Sequence, residues 1–103
     1  MEDYQRALIG QMAVRLNLYD SGEIPLPKLT EDLRGLFGAA DPRELSIRDS
    51  FEEVWAELDA EAELRTESWA PPGLANDAHL NEVLHQLRSW IGNITEETHH
   101  GQA

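Results

Sequence analysis

The sequence predicts an all-α protein, an antiparallel four-helix bundle with up-down-up-down topology. Four segments repeat apolar residues at the 3.6-residue period of a helix, and no segment shows the apolar–polar alternation of a strand. The 103 residues have the length of one domain. Short links join three of the helices, so their apolar stripes can be buried only against one another. We expect helices at about residues 3–19, 26–37, 42–64 and 77–91.

The first helix has one clear apolar stripe and ends at a glycine. The stripe consists of Leu8, Ile9, Met12, Leu16 and Tyr19. Gly22 can take the left-handed conformation that follows many helices. Val14 and Leu18 form a second, smaller apolar strip on the opposite side. They either contact another segment or are exposed without consequence.

The second helix begins in "EIPLPKL", where Pro27 suits the first helical turn. Its stripe is Leu26, Leu29, Leu33, Leu36 and Phe37. We expect Gly38 to end this helix, because glycine is the residue most favoured just beyond a helix.

The third helix has a strong start signal in "ADPREL". Asp41 is the predicted cap, Pro42 the first helical residue, and Glu44 completes a capping box. The helix either runs unbroken to about Leu64 or breaks near Ser46. Its predicted buried face is Ile47, Phe51, Val54, Trp55, Leu58 and Ala62.

The fourth helix follows the long connection 65–76, which contains the turn signal Pro71-Pro72-Gly73. Asp77 is its predicted cap, and its buried face is Leu80, Val83, Leu84, Leu87 and Ile91. We expect residues 1–92 to form a single domain and residues 93–103 a flexible tail without apolar periodicity.

The charge balance restricts the class of partner. Twenty acidic residues against eight basic ones give a formal charge of -12. Nucleic acids and anionic membranes are bound mainly by basic surfaces, so neither is an expected partner. No apolar run approaches the roughly 20 residues of a membrane span, and the acidic start is unlike a secretory signal. With no cysteine in the chain, we expect a cytoplasmic protein.

The residues do not assemble a recognisable catalytic, cofactor or metal site. His79 and His85 point to different sides of the last helix and cannot share a metal ion. His99 and His100 follow two glutamates, but they lie in the predicted tail, which fixes no geometry. We therefore expect a protein that is not an enzyme and carries no cofactor.

The third helix carries an acidic surface in "DSFEEVWAELDAEAEL", residues 49–64. The stretch contains no Lys or Arg, although like charges one turn apart destabilise a helix. Its acidic residues, all expected to point outward, are Asp49, Glu52, Glu53, Glu57, Asp59, Glu61 and Glu63. Either this surface is merely solvated, or it binds the Arg and Lys side chains of a protein. Trp69, in the following loop, either covers one end of the bundle or is a binding hot spot.

Three segments resemble the colicin D-type immunity proteins: "LYDSGEIPLPKLTEDLRGLF", "SFEEVWAELDAEAEL" and "LNEVLHQLRSWI", within residues 8–91. The resemblance implies a small acidic four-helix bundle that binds a cognate tRNA-cleaving toxin. In that family, carboxylates block the basic active site of the toxin in place of the phosphates of its substrate. The resemblance implies partner contacts at six carboxylates of the third helix: Glu52, Glu53, Glu57, Asp59, Glu61 and Glu63.

A second interpretation is a non-enzymatic helical adaptor or regulatory protein. Such a protein could be a homodimer through Val14 and Leu18, or through Trp69. The immunity-type interpretation instead expects a monomer in the absence of the toxin.

Overall fold

The computed structural model describes residues 2–66 and 77–100, with side chains described as far as Thr95. It contains four α-helices: α1 (Asp3–Asp20), α2 (Leu26–Ala40), α3 (Leu45–Thr66) and α4 (Asp77–His100). The described residues include no β-strand. The predicted all-α four-helix bundle is confirmed.

The helices form a ring in which neighbours in sequence are neighbours in space. Each helix packs against the next, and α4 closes the ring by packing against α1. Neighbouring helices are antiparallel, because residue numbers rise along one and fall along the other. The contacts that show this are Gln5–Ala40 and Arg15–Asp32 between α1 and α2, Thr30–Trp55 and Phe37–Phe51 between α2 and α3, and Ser50–Trp90 and Arg65–Asp77 between α3 and α4. The topology is therefore up-down-up-down. Within the described residues α1 and α3 lie diagonally across the bundle and do not touch.

The core is built mainly from the predicted apolar stripes. The fully buried large side chains are Ile9, Met12, Leu16, Leu29, Leu33, Phe51, Leu58, Val83 and Leu87. All nine belong to the stripes that the 3.6-residue period selects. The residues at the edges of these stripes are only partly buried: Leu8, Tyr19, Leu36, Ile47, Val54 and Trp55.

An aromatic cluster joins three helices. The rings of Phe37 and Phe51 stack with centroids 3.9 Å apart. The ring of Trp90 lies 5.8 Å from Phe37 and 5.6 Å from Phe51. Trp90 also donates a hydrogen bond of 2.8 Å to the hydroxyl of Ser50. The buried Trp90 was not among the predicted core residues, yet it satisfies its indole N–H while filling the space between α2, α3 and α4.

The turn between α1 and α2 follows the sequence signals. Gly22 has a φ of 79°, so the predicted left-handed residue is confirmed. Pro27 lies in the first turn of α2, as predicted. At the other end of α2, the side-chain amide of the buried Gln5 donates to the carbonyl oxygen of Ala40 at 2.9 Å, which ties the start of α1 to the end of α2.

The boundary between α2 and α3 differs from the prediction. Helix α2 passes through Gly38 and ends at Ala40, and Asp41, with φ of 44°, is its left-handed cap. Residues 41–44 are not helical, so Asp41 does not cap α3. The carboxylate of Asp41 instead pairs with Arg48, whose Nε also donates to the carbonyl of Pro42. Aspartate tolerates the left-handed conformation better than most residues, and this makes the reversal possible without glycine.

Helix α3 is unbroken, and helix α4 is longer than predicted. Helix α3 is continuous from Leu45 to Thr66, without a break at Ser46. Helix α4 begins at Asp77, as predicted, but it continues to His100 instead of ending near residue 91. Ile94, placed in the predicted tail, is only 8% exposed and belongs to the core.

Candidate functional site

The outer surface of α3 carries the candidate site. Its exposed carboxylates, which we call the acidic face, are Asp49, Glu53, Glu57 and Glu63. They surround Ala56 and Ala60, which are also exposed. Since α3 has 3.6 residues per turn, Asp49, Glu53 and Glu57 follow one another along a single row. The small alanines leave these carboxylates open to a bulky partner.

None of the four carboxylates of the acidic face has a hydrogen bond or ion pair with another described residue. Like charges one turn apart on a helix destabilise it by a few tenths of a kcal/mol, about 0.2–0.5. The described part of the fold therefore does not neutralise the charge of the acidic face.

Glu52 lies at the α2 side of the acidic face, where its charge is compensated. Both of its carboxylate oxygens accept hydrogen bonds from Nη1 of Arg34, at 3.1 and 3.0 Å. The guanidinium of Arg34 stacks over the Trp55 ring, 4.5 Å from its centroid. The indole N–H of Trp55 donates to the carbonyl of Thr30 at 3.0 Å. Glu52 thus takes part in the contact between α2 and α3, while its side chain remains half exposed.

Glu61 does not point outward, contrary to the prediction. It is only 5% exposed and faces α4. Its carboxylate pairs with Arg65, one turn along α3, and lies 3.9 Å from the imidazole of His79 on α4. Arg65 also pairs with the carboxylate of Asp77 at 2.9 Å. Together these four residues, the Glu61 cluster, fasten the end of α3 to the start of α4.

The electrostatics of the Glu61 cluster favour a permanently charged Arg65. Burial by itself would lower the pKa of Arg65, but hydrogen bonds from its guanidinium to Glu61 and Asp77, and the charges of these carboxylates, outweigh that effect and raise its pKa. A buried carboxylate requires a compensating partner. Glu61 therefore has a structural role and does not belong to the acidic face.

The remaining predicted site residues fall in three environments. Asp59 is partly buried on the α2 side of α3, and Glu63 is exposed. Trp69 lies outside the described residues. Asp49, by contrast, was not carried over from the family resemblance, yet it extends the row of Glu53 and Glu57 by one turn. Its spacing of four residues from Glu53 is the sequence signal that identifies it.

Most basic residues of the chain form ion pairs outside the acidic face. All eight lie within the described residues, and seven form ion pairs: Arg6, Arg15, Lys28, Arg34, Arg48, Arg65 and Arg88. Arg43, in the segment between α2 and α3, is the one without an ion pair in this part of the chain. The acidic face therefore has no basic residue of its own to neutralise it.

A cleft of about 540 Å³ lies at the end of the bundle where α1 and α3 begin. Its lining combines Tyr4 and Ile47 with three carboxylates, those of Glu2, Asp41 and Glu44, and with the single cation Arg43. This mixed lining does not select one kind of ligand. Among the described residues, no group of three His, Asp or Glu side chains is placed to hold a metal ion.

Within the described residues, no helix combines the length and the apolar composition needed to cross a bilayer. Comparison of the chain with protein-family models, curated protein sequences and solved structures yields no match. Fold and surface together define an acidic four-helix bundle with an exposed row of carboxylates on α3.

Proposed function

We propose that this protein binds and neutralises a basic protein, and that the partner is a nuclease toxin of the tRNA-cleaving type. The carboxylates of the acidic face would occupy the positions in the toxin that bind the phosphates of its RNA substrate. This is the function that the resemblance to colicin D-type immunity proteins implies. As part of this proposal, the protein acts in the cytoplasm, where tRNA is found, and is not itself an enzyme.

One observation carries the proposal: the four exposed carboxylates of the acidic face have no partner among the described residues, while seven of the eight basic residues are paired. A surface that was only solvated would be equally compatible with Lys or Arg interspersed among the acids, which stabilise a helix. Their absence favours a surface that complements Arg and Lys of another protein.

The contact residues of the proposal follow from the geometry. Asp49, Glu53, Glu57 and Glu63 are free to contact a partner. Glu52 is available only if the partner competes with Arg34, because its carboxylate already accepts two hydrogen bonds. Glu61 is excluded by its burial.

The test compares two double charge reversals that change the net charge equally. Glu53→Lys/Glu57→Lys alters the acidic face, whereas Glu31→Lys/Glu82→Lys alters exposed acids of α2 and α4. Affinity is measured by calorimetry for the product of the gene next to this one, and for a colicin D-type tRNase domain as a second probe. Measurements at low and high salt report the electrostatic part of binding.

We expect the reversal on the acidic face to weaken binding by about 2–5 kcal/mol, the range for disrupting a desolvated charge pair at an interface. The control reversal should mainly slow association. Binding of the wild-type protein should weaken as salt rises. Equal losses for both double variants would refute the acidic face as the contact surface, and the absence of binding to both probes would refute the proposed function.

A further inference from the structure

The outer face of α1 carries a second strip of residues, separate from its core stripe. The strip consists of Tyr4, Ala7, Gln11, Val14 and Leu18. These positions alternate steps of three and four residues, which is the spacing by which one helix packs along another. We call them the α1 strip.

The α1 strip is exposed and contains apolar side chains. Tyr4 is 59% exposed and Val14 45%, and they are two of the three large apolar residues most exposed in the described part of the chain. Ala7 and Gln11 are exposed, and Leu18 is partly buried. The core residues of α1, such as Ile9 and Leu16, face the other way and are fully buried. Tyr4 also lines the cleft at the end of the bundle, together with Ile47 of α3.

The α1 strip also lacks charge, in a protein of formal charge -12. No Asp, Glu, Lys or Arg occurs between residues 7 and 14, and the charged residues near the ends of this stretch, Asp3, Arg6 and Arg15, are in ion pairs. The outer faces of the other helices each carry exposed acids: Glu31 on α2, the acidic face on α3 and Glu82 on α4. Two copies of this protein therefore repel each other on approach through α2, α3 or α4, and least through α1.

We propose that two copies of this chain associate through their α1 strips. A two-fold contact brings the same surface of both copies together, so the surface must complement itself. The uncharged strip does so: Ala7 leaves room for close approach, and Val14 and Leu18 supply apolar area. Gln11, at its centre, has an amide that both donates and accepts hydrogen bonds and so can pair with its counterpart.

The position of α1 in the ring adds a second argument for a copy of the same chain as the occupant. Because α1 and α3 are diagonal, the acidic face lies on the side of the bundle opposite to the α1 strip. Each bundle measures 27 × 23 Å across. In the dimer the two acidic faces are thus separated by about two bundle widths, well beyond the ~8 Å Debye length at physiological salt. Both remain open to partners, so the dimer does not obstruct the proposed function or depend on it, although it departs from the monomer that the sequence analysis expects of a free immunity-type protein.

Salt acts on this dimer in the direction opposite to its action on a basic partner. Screening weakens repulsion between two acidic bundles and strengthens apolar association, so rising salt favours the dimer. The same rise weakens binding of a basic protein through the acidic face. The two proposals can therefore fail independently.

The test measures molar mass by sedimentation equilibrium from about 1 μM to about 1 mM protein, the span of weak to moderate affinities. The variant Gln11→Arg places two like charges in the dimer contact, although it lowers the net negative charge of each copy. The control Gln86→Arg makes the same change at an exposed glutamine of α4. Circular dichroism checks that both variants fold, and Val14→Ser provides an uncharged second variant.

We expect the wild-type protein to dimerise, more tightly at high salt, and Gln86→Arg to match or exceed it. Gln11→Arg should raise the dimer dissociation constant at least about tenfold, since facing like charges oppose association. Val14→Ser should weaken the dimer, and Glu53→Lys/Glu57→Lys should leave it intact. A monomer at every concentration and salt would overturn the proposal. A dimer that neither Gln11→Arg nor Val14→Ser weakens would also overturn it. So would an α1 strip that binds only a helix of another protein.

Discussion

The carboxylate of Glu61 is buried against the guanidinium of Arg65, one helical turn along α3. Glu57, one turn in the other direction, is exposed and has no partner among the described residues. Two glutamates four residues apart on one helix thus have different roles. Glu61 stabilises the junction of α3 and α4, whereas Glu57 belongs to the acidic face.

The first prediction contrasts these two glutamates. Glu61→Gln keeps the shape of the side chain but removes its charge, and Arg65 retains only Asp77. We expect a loss of about 1.5–3 kcal/mol in the free energy of unfolding, the range for a hydrogen bond to a charged group. Glu57→Gln should change it by no more than about 0.5 kcal/mol, as is usual at exposed positions. Urea denaturation of both variants measures the difference.

The pH dependence of the Arg65 contribution has a definite sign. Its pKa is raised in the folded protein, so the corresponding stabilisation is present below the ordinary pKa and is lost only as pH rises through the folded value. Raising the pH from about 7 to about 10 should therefore not reduce the stability difference between wild type and Arg65→Gln. A marked reduction over that interval would contradict the charged pairing of Arg65 with Glu61 and Asp77.

The core could be predicted from the sequence because burial and the helical period act on the same residues. Leu29, Leu33 and Phe51, for example, are apolar at helical spacing and are fully buried. The burial of Glu61 could not be predicted in this way. Each helix of the ring packs against two neighbours, so the part of its surface that is buried is wider than its apolar stripe. Which polar residues fall in this wider part depends on the fold, and the fold places Glu61 against α4.

The start of α3 was mispredicted for a local reason. "ADPREL" contains every sequence signal of a capped helix, yet Asp41 instead ends α2 in the left-handed conformation. The sequence predicts that α2 ends at Gly38, but glycine inside a helix costs only about 1 kcal/mol relative to alanine. The continued helix buries Ala40 and gives the amide of Gln5 an acceptor, and these gains outweigh that cost.

The second prediction follows from the glycines within α2. A Cβ at Gly35 or Gly38 would meet no atom within 4 Å. Gly35→Ala and Gly38→Ala should each stabilise the protein by about 0.5–1 kcal/mol, because alanine favours the helix. Gly22→Ala is the matched control, since Gly22 has equal space but a φ of 79°. Thermal denaturation should show a higher Tm for the first two variants and a lower one for the control. A fall in Tm at Gly35 would contradict the position of that residue inside a helix.

The third prediction tests the end of α4. Ile94→Ala removes a core side chain and should cost about 2–4 kcal/mol, within the range for a buried isoleucine. The adjacent Asn93 is exposed, so Asn93→Ala should have little effect. Hydrogen exchange at the amides near Ile94 gives an independent measurement. If Ile94→Ala and Asn93→Ala are equally mild, residue 94 belongs to a flexible tail, as the sequence alone suggested.

The last prediction concerns the free protein and separates the carboxylates of the acidic face from their neighbour Glu52. Glu53 and Glu57 repel each other across one turn of α3 and have no compensating cation, so Glu53→Gln and Glu57→Gln should each raise the free energy of unfolding by about 0.2–0.5 kcal/mol. Adding salt should shrink this gain, because screening already relieves the repulsion in the wild-type protein. Glu52→Gln, next to Glu53 in sequence, should bring no gain, because its carboxylate accepts two hydrogen bonds from Arg34. Urea denaturation at low and high salt measures all three variants. Destabilisation by Glu53→Gln at low salt would show that this carboxylate stabilises the fold. The main argument that the acidic face binds a partner would then fail.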